Sequence, residues 1–218
     1  MINLKLGDVM SGKRKVNKYG GDSQCEYPIW DYKKNIHAVE YEKWSSMLKR
    51  CYSESVHRNR PTYIGCEVCK EWKYYKNFYE WMHNQDNFEI LESIGEKYHL
   101  DKDILIKNNK IYSPETCELV PHIVNTLFIS CNSHRGKYPI GVYYATDRKK
   151  FKAQCQDVFT GKYKNLGGYS SPEDAFFLGY KPFKEEVIKR VAEKEYSKGT
   201  ITKRCFNAMM NYKIQITD

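Results

Sequence analysis

The sequence has no apolar run approaching the ~20 residues that a membrane-spanning helix needs, which excludes a helical membrane anchor. It is short of negative charge: 27 acidic residues stand against 36 lysines and arginines, for a formal net charge of +9. That imbalance points to an anionic partner such as nucleic acid, against the plainer reading of a merely soluble basic protein. No internal repeat and no low-complexity tract is present. The opening stretch, MINLKLGDVMSGKRKVNKYGG, lacks the apolar segment of a signal peptide. It predicts an intracellular, cytoplasmic chain whose thiols stay reduced. The eight cysteines then read as free, metal-bound or catalytic rather than disulfide-paired.

What is present suffices for a folded protein. Hydrophobic residues make up 41% of the 218 positions, enough for a packed core in one large domain or two small ones. Tyrosine is abundant at 19. Tyrosines beside lysines can stack on bases or bond phosphates, although most pack at the edge of a core.

Residues 1–40 are polar and weakly periodic and read as an arm, with a short strand near Ile2–Leu6, a turn at Gly20-Gly21 and extended chain over Cys25–Tyr32. Residues 41–50 place Trp44, Met47 and Leu48 at helical spacing. Residues 51–70 read as a loop and a CEVC knuckle. Residues 71–83 read as a helix that faces the core with Trp72, Tyr75, Phe78, Tyr79 and Met82. Residues 84–97 read as a connection.

Residues 98–130 hold the densest chemistry. The stretch predicts a short strand carrying Asp101 and Asp103, a polar turn, a second strand, and a helix that opens at Pro121 and carries Asn125. Two aspartates two apart on a strand share a face, and their hard oxygens suit Mg²⁺ or Mn²⁺. Asn125, one turn into the helix, would supply a neutral oxygen. That layout is the one a one-metal nuclease site needs. His99 shares the strand face of Asp101, and His122 precedes Asn125 by three; either would serve as base or ligand. The alternative is that Asp101 and Asp103 simply pair with Lys102 and nearby lysines.

Residues 131–137 read as a linker. Beyond it, IGVYYAT, FKAQCQDVF and KYKNLGGYS alternate as strands joined by turns at TDRKK and TGK. Ser171-Pro172-Glu173-Asp174 starts a helix, with Ser171 as cap and acids near the positive end of the dipole. That helix runs to about Tyr196 with a bend at Gly179 and Pro182. Gly199 ends it, and residues 197–218 form a helical tail.

An ordered set of residues carries a family resemblance: Trp44, Met47, RCY at 50–52, Tyr63, Gly65, CEVC at 66–69, EW at 71–72, Phe78, WM at 81–82, LDKD at 100–103, YSPETC at 112–117, Val120 and Asn125. With these the chain resembles the HNH endonucleases of phages and mobile introns, over roughly residues 41–196. More narrowly, it resembles phage HNH endonucleases that carry an AP2-type domain. The resemblance implies metal ligation by Asp101 and Asn125, with Asp103 beside them, and host cytoplasm as the location. In that family the strand reads D-H-x-D or N-H-x-D, and the histidine is the general base. That position is Lys102 here, and a lysine at pH 7 normally carries its proton already. Lys102 would instead contact a phosphate, leaving His99 or His122 as base. The family's central asparagine is Thr116.

Cys66-x-x-Cys69 supplies two zinc ligands, and zinc needs four. Cys51 and Cys117 sit in segments that match the family pattern and complete a candidate set; the alternative is four buried thiols. The C-terminal strands and helix resemble the AP2-type DNA-binding domain through Gly141-Val142, Phe151-Lys152-Ala153, Gly161-Lys162, Leu166-Gly167, Tyr169, Glu173, Ala175 and Tyr180. A sheet packed on a helix leaves its other face for the major groove. Candidate DNA contacts are Tyr143 or Tyr144, with Tyr144 preferred, and Thr146, then Arg148, Lys152, Gln154 and Gln156, with Lys162 and Lys164 on phosphates; the alternative is that the sheet packs on protein.

The sequence therefore predicts an α+β protein. Residues 41–130 form a ββα-metal, HNH-like domain with supporting helices, and 138–196 a three-stranded antiparallel sheet plus helix of AP2-like type. The expected activity is DNA nicking or cleavage with one divalent ion. The alternatives are a DNA-binding protein that has lost cleavage, and a phage protein that binds and inhibits a host protein.

Overall fold

The computed structural model describes residues 16–95, 97–128 and 136–217. The expected strand at Ile2–Leu6 and most of the linker lie outside them. The chain is α+β, with small sheets among helices. No helix among the described residues is long and apolar enough to cross a membrane.

The chain divides into two compact units. One takes the chain up to Asn84 together with Asn109–Thr116; the other takes Gln85–Asn108 and the chain from Cys117 onward. This division does not coincide with the one expected at residues 131–137.

In the first unit, strands β1 (Trp30–Asp31) and β2 (Ile36–His37) pair antiparallel ahead of helices α1 (Val39–Tyr52) and α2 (Glu54–Asn59). Strand β3 (Glu67–Val68) and helix α3 (Tyr75–His83) follow. The apolar spacing of α1 does what it predicts: Trp44, Met47 and Leu48 are fully buried. They meet Trp72, Tyr75, Phe78 and Met82, and Trp44 Nε1 donates to the Trp72 carbonyl at 2.7 Å. Helix α2 lies in what the sequence presents as loop.

The second unit opens with helix α4 (Phe88–Ser93), in the stretch expected to be a connection. Buried Asn87 precedes it and donates to the carbonyls of Leu119 and Thr200 at 2.9 and 2.8 Å, so long-range bonds rather than local propensity fix this turn of chain. Strand β4 (Tyr98–Asp101) comes next. Strand β5 (Ile111–Tyr112) returns to the first unit and pairs parallel with β3. Strand β6 (Glu118–Pro121) then pairs antiparallel with β4, and helix α5 (His122–Leu127) follows directly, giving a strand–strand–helix unit.

Strands β7 (Val142–Ala145), β8 (Lys150–Gln156) and β9 (Tyr163–Tyr169) form the expected antiparallel sheet in the order β7-β8-β9. Ser171 Oγ accepts from the Asp174 amide at 3.0 Å and caps helix α6 (Pro172–Asp174). A π-helical turn over Ala175–Tyr180 leads into helix α7 (Lys181–Ser197). Gly179 lies in that turn, and a Cβ there would come within 2.7 Å of Ala153 Cβ. Glycine is what lets the helix lie down on the sheet. Gly199, with φ +74°, ends the run, and Thr202 caps helix α8 (Lys203–Met210).

One apolar cluster runs through the second unit. Ile104, Val120, Val124 and Leu127 pack with Ala153, Phe176, Val187, Val191, Cys205 and Met209. This shared core is why the β4–β6–α5 element, the three-stranded sheet and the C-terminal helices belong to one unit rather than to separate domains and a tail.

Candidate nucleic-acid interface

The ladder between β4 and β6 sets His99 opposite Val120 and Asp101 opposite Glu118. The strand ends at Asp101, because its own carboxylate turns the chain: Oδ1 accepts from the amides of Asp103 and Ile104, both at 2.8 Å. Asp101 and Asp103 therefore do not share a strand face, contrary to the sequence reading. Lys102 is 7% exposed. Its Nζ donates to both oxygens of Asp103, at 2.7 and 2.8 Å. It is thus placed as the partner of Asp103, not as a phosphate contact or a base.

Glu118 has no exposed surface. Its oxygens accept from Arg204 Nε at 2.6 Å and Thr202 Oγ1 at 2.9 Å, and Arg204 Nη2 donates to the Cys117 carbonyl at 3.0 Å. Burial raises the pKa of Glu118 against the pull of Arg204, and burial raises that of Asp101 against its two amide bonds. Burial and these two carboxylates push the Cys205 thiol well up.

Raised carboxyl pKa values set the sign of a pH effect. Between the unfolded carboxyl range near 4 and the higher folded values, the folded state holds protons that the unfolded state has released. The contribution of these groups to stability therefore falls as pH rises through that window. In Asp101→Asn the amide oxygen still caps the turn. The Tm difference between variant and wild type should move in favour of the variant from about pH 4 to 7. A flat or opposite trend in thermal melts would refute the assignment.

Two of the expected metal ligands, Asp101 and Asp103, are engaged within their own segment. Both Asp103 oxygens hold the Lys102 ammonium, and Asp101 Oδ1 holds two amides. Asn125 is half-buried on α5. Among the described residues, no group of three His, Cys, Asp or Glu side chains stands in position to hold a metal ion. A divalent ion that used Asp103 would have to displace Lys102. For the candidate zinc ligands, Cys51, Cys66 and Cys69 lie in the first unit and Cys117 in the second. Cys66 Sγ donates to the Thr62 carbonyl at 3.9 Å, and burial raises the pKa of the Cys69 thiol.

The two histidines do come together. His99 Nε2 and His122 Nδ1 are 3.0 Å apart, so one ring donates to the other. The backbone sets this up: the His122 amide donates to the Lys97 carbonyl at 2.9 Å where β6 turns into α5.

The three-stranded sheet has two unlike faces. Ala153 and Cys155 are buried on the helix side, with Phe151 packed beside them. The other face carries Tyr143, Lys150, Lys152, Gln154, Gln156, Tyr163 and Asn165, and no carboxylate. Gly168, opposite Lys152, leaves open the space that the Lys152 and Lys150 side chains cross. Two expected contacts lie on the other side. Tyr144 pairs with Phe151 and packs on its ring at 5.0 Å. Lys164 is opposite buried Cys155, and its Nζ sits 4.8 Å from the Phe183 ring on α7. Of the adjacent tyrosines, Tyr143 is the one on the free face. Lys150, Tyr163 and Asn165 were missed, although extending the alternation from Lys152 and Gln154 across the pairing register would have found them. Arg148 lies in the β7–β8 turn, 3.5 Å from Asp147, and Lys162 in the exposed β8–β9 loop. Gln156 Nε2 donates to the Gly161 carbonyl at 2.9 Å and braces that loop.

Comparison with known proteins gives no match to a family model, a curated sequence or a solved structure.

Proposed function

We propose that this protein binds DNA through the free face of the β7–β9 sheet. The observation that carries the reading is the composition of that face: two lysines, two tyrosines and three side-chain amides, with no carboxylate, on a chain of net charge +9. Lysines seat phosphates, and amides read base edges. Gln154 is the better placed of the two glutamines for a base, because Gln156 spends its amide nitrogen on Gly161. The likeness of this segment to AP2-type domains points the same way. The test is duplex binding measured over a salt series. Phosphate-driven affinity falls steeply with salt; absent or salt-insensitive binding would retire the reading.

A second reading, DNA cleavage by an HNH-type site, is favoured by one observation, the approach of His99 to His122 at 3.0 Å. The engagement of Asp101, Lys102 and Asp103 with one another argues against it. The expected result of a plasmid-nicking assay with Mg²⁺ or Mn²⁺ is therefore binding without nicking. Nicking that His99→Ala abolishes would reverse this order.

A further inference from the structure

A trough of about 570 Å³ opens in the second unit, at the edge of the sheet face already described. Lys97, His122, Ile123 and Thr126 line one side, Gln156, Val158 and Gly161 the other, and no acidic residue lines it. One wall is thus the start of α5 and the other is the far end of the β8–β9 hairpin. Gln156 belongs to both features: it is an exposed member of the free sheet face and a wall of the trough. The sheet face and the trough are therefore continuous.

We propose that the trough is a phosphodiester seat, which holds the backbone of one strand of a nucleic acid as it leaves the sheet past Gln156. The inference rests on the sheet reading and extends it. Lys97 and His122 are exposed and offer an ammonium and an imidazole, both donors to phosphate oxygen. The Thr126 hydroxyl donates to the Ile123 carbonyl at 2.8 Å, which makes it a wall of the trough rather than a donor to a phosphate. His99 is a positioning residue, which fixes the His122 ring through the 3.0 Å ring-to-ring bond. The hairpin wall is closed by its own hydrogen bonds. The Asp157 carboxylate accepts from the Phe159 amide, and the Gly161 amide donates to the Asp157 carbonyl.

The test measures duplex affinity by fluorescence anisotropy over a salt series for four proteins. These are wild type, Lys150→Ala/Lys152→Ala on the sheet, and Lys97→Ala/His122→Ala and Lys97→Ala/His122→Gln in the trough. The glutamine variant keeps a hydrogen-bonding group beside His99 and guards against a local folding defect; melting curves check all four. The expected result is an affinity loss of about fivefold or more for both trough variants. Their salt slope should fall by about one to two, one per lost phosphate contact. If the sheet variant weakens binding while both trough variants keep wild-type affinity and slope, the seat is overturned and the sheet reading stands. If the sheet variant binds like wild type, the sheet reading fails. If wild type binds no DNA, both fall.

Discussion

Arg204→Met should lower stability by about 3 kcal/mol, the bottom of the ~3–5 kcal/mol range for breaking a buried ion pair, and the Tm by roughly 6–12 °C. The reason is asymmetric exposure. Arg204 keeps nearly half its side chain in solvent, but Glu118 has none. Removing the arginine leaves a buried carboxylate opposite the half-buried Asp101, with only the Thr202 hydroxyl to stabilise it. It also strips the Cys117 carbonyl of a donor. The double variant Glu118→Leu/Arg204→Met should recover most of the loss, because replacing both partners with apolar groups is often nearly neutral. Urea unfolding of the two proteins measures this. A single variant as stable as wild type would show that the ion pair does not tie α8 to β6.

Tyr143→Ala/Lys150→Ala/Lys152→Ala should cut duplex affinity by about two orders of magnitude at low salt and lower the salt slope by about two. Two lysines account for the slope. The tyrosine contributes stacking or sugar contact, worth about 1–3 kcal/mol per base where a base stacks. All three are on the solvent side of the sheet, so melting temperature should hardly move. The control is Lys164→Ala, whose ammonium sits over Phe183 on the opposite side. It should leave the slope close to wild type.

The elements with strong local signals were legible in the sequence. Trp44, Met47 and Leu48 announced α1 by spacing, and all three are fully buried. The alternation of FKAQCQ announced β8, and Ser171 with Pro172 announced the helix start. What was not legible depends on partners far away in the chain. Helix α4 is only six residues long, and buried Asn87 anchors it to residues 32 and 113 positions away. Glu118 and Arg204 are 86 apart. At the LDKD segment, strand periodicity predicted a shared face for Asp101 and Asp103. The Asx-type turn made by Asp101 itself overrode it, a competition that short acidic side chains often win against the ladder. Tyr143 and Tyr144 could not be told apart by composition. The pairing of Tyr144 with Phe151 decides between them.

The most direct measurement of where DNA sits is lysine acetylation, followed by mass spectrometry, with and without saturating duplex. Lys150 and Lys152 should be protected from acetylation in the complex, while Lys164, on the opposite side of the sheet, reacts as it does in the free protein. Unchanged reactivity of Lys150 and Lys152 in a protein that is demonstrably bound would contradict the account and place the nucleic acid elsewhere.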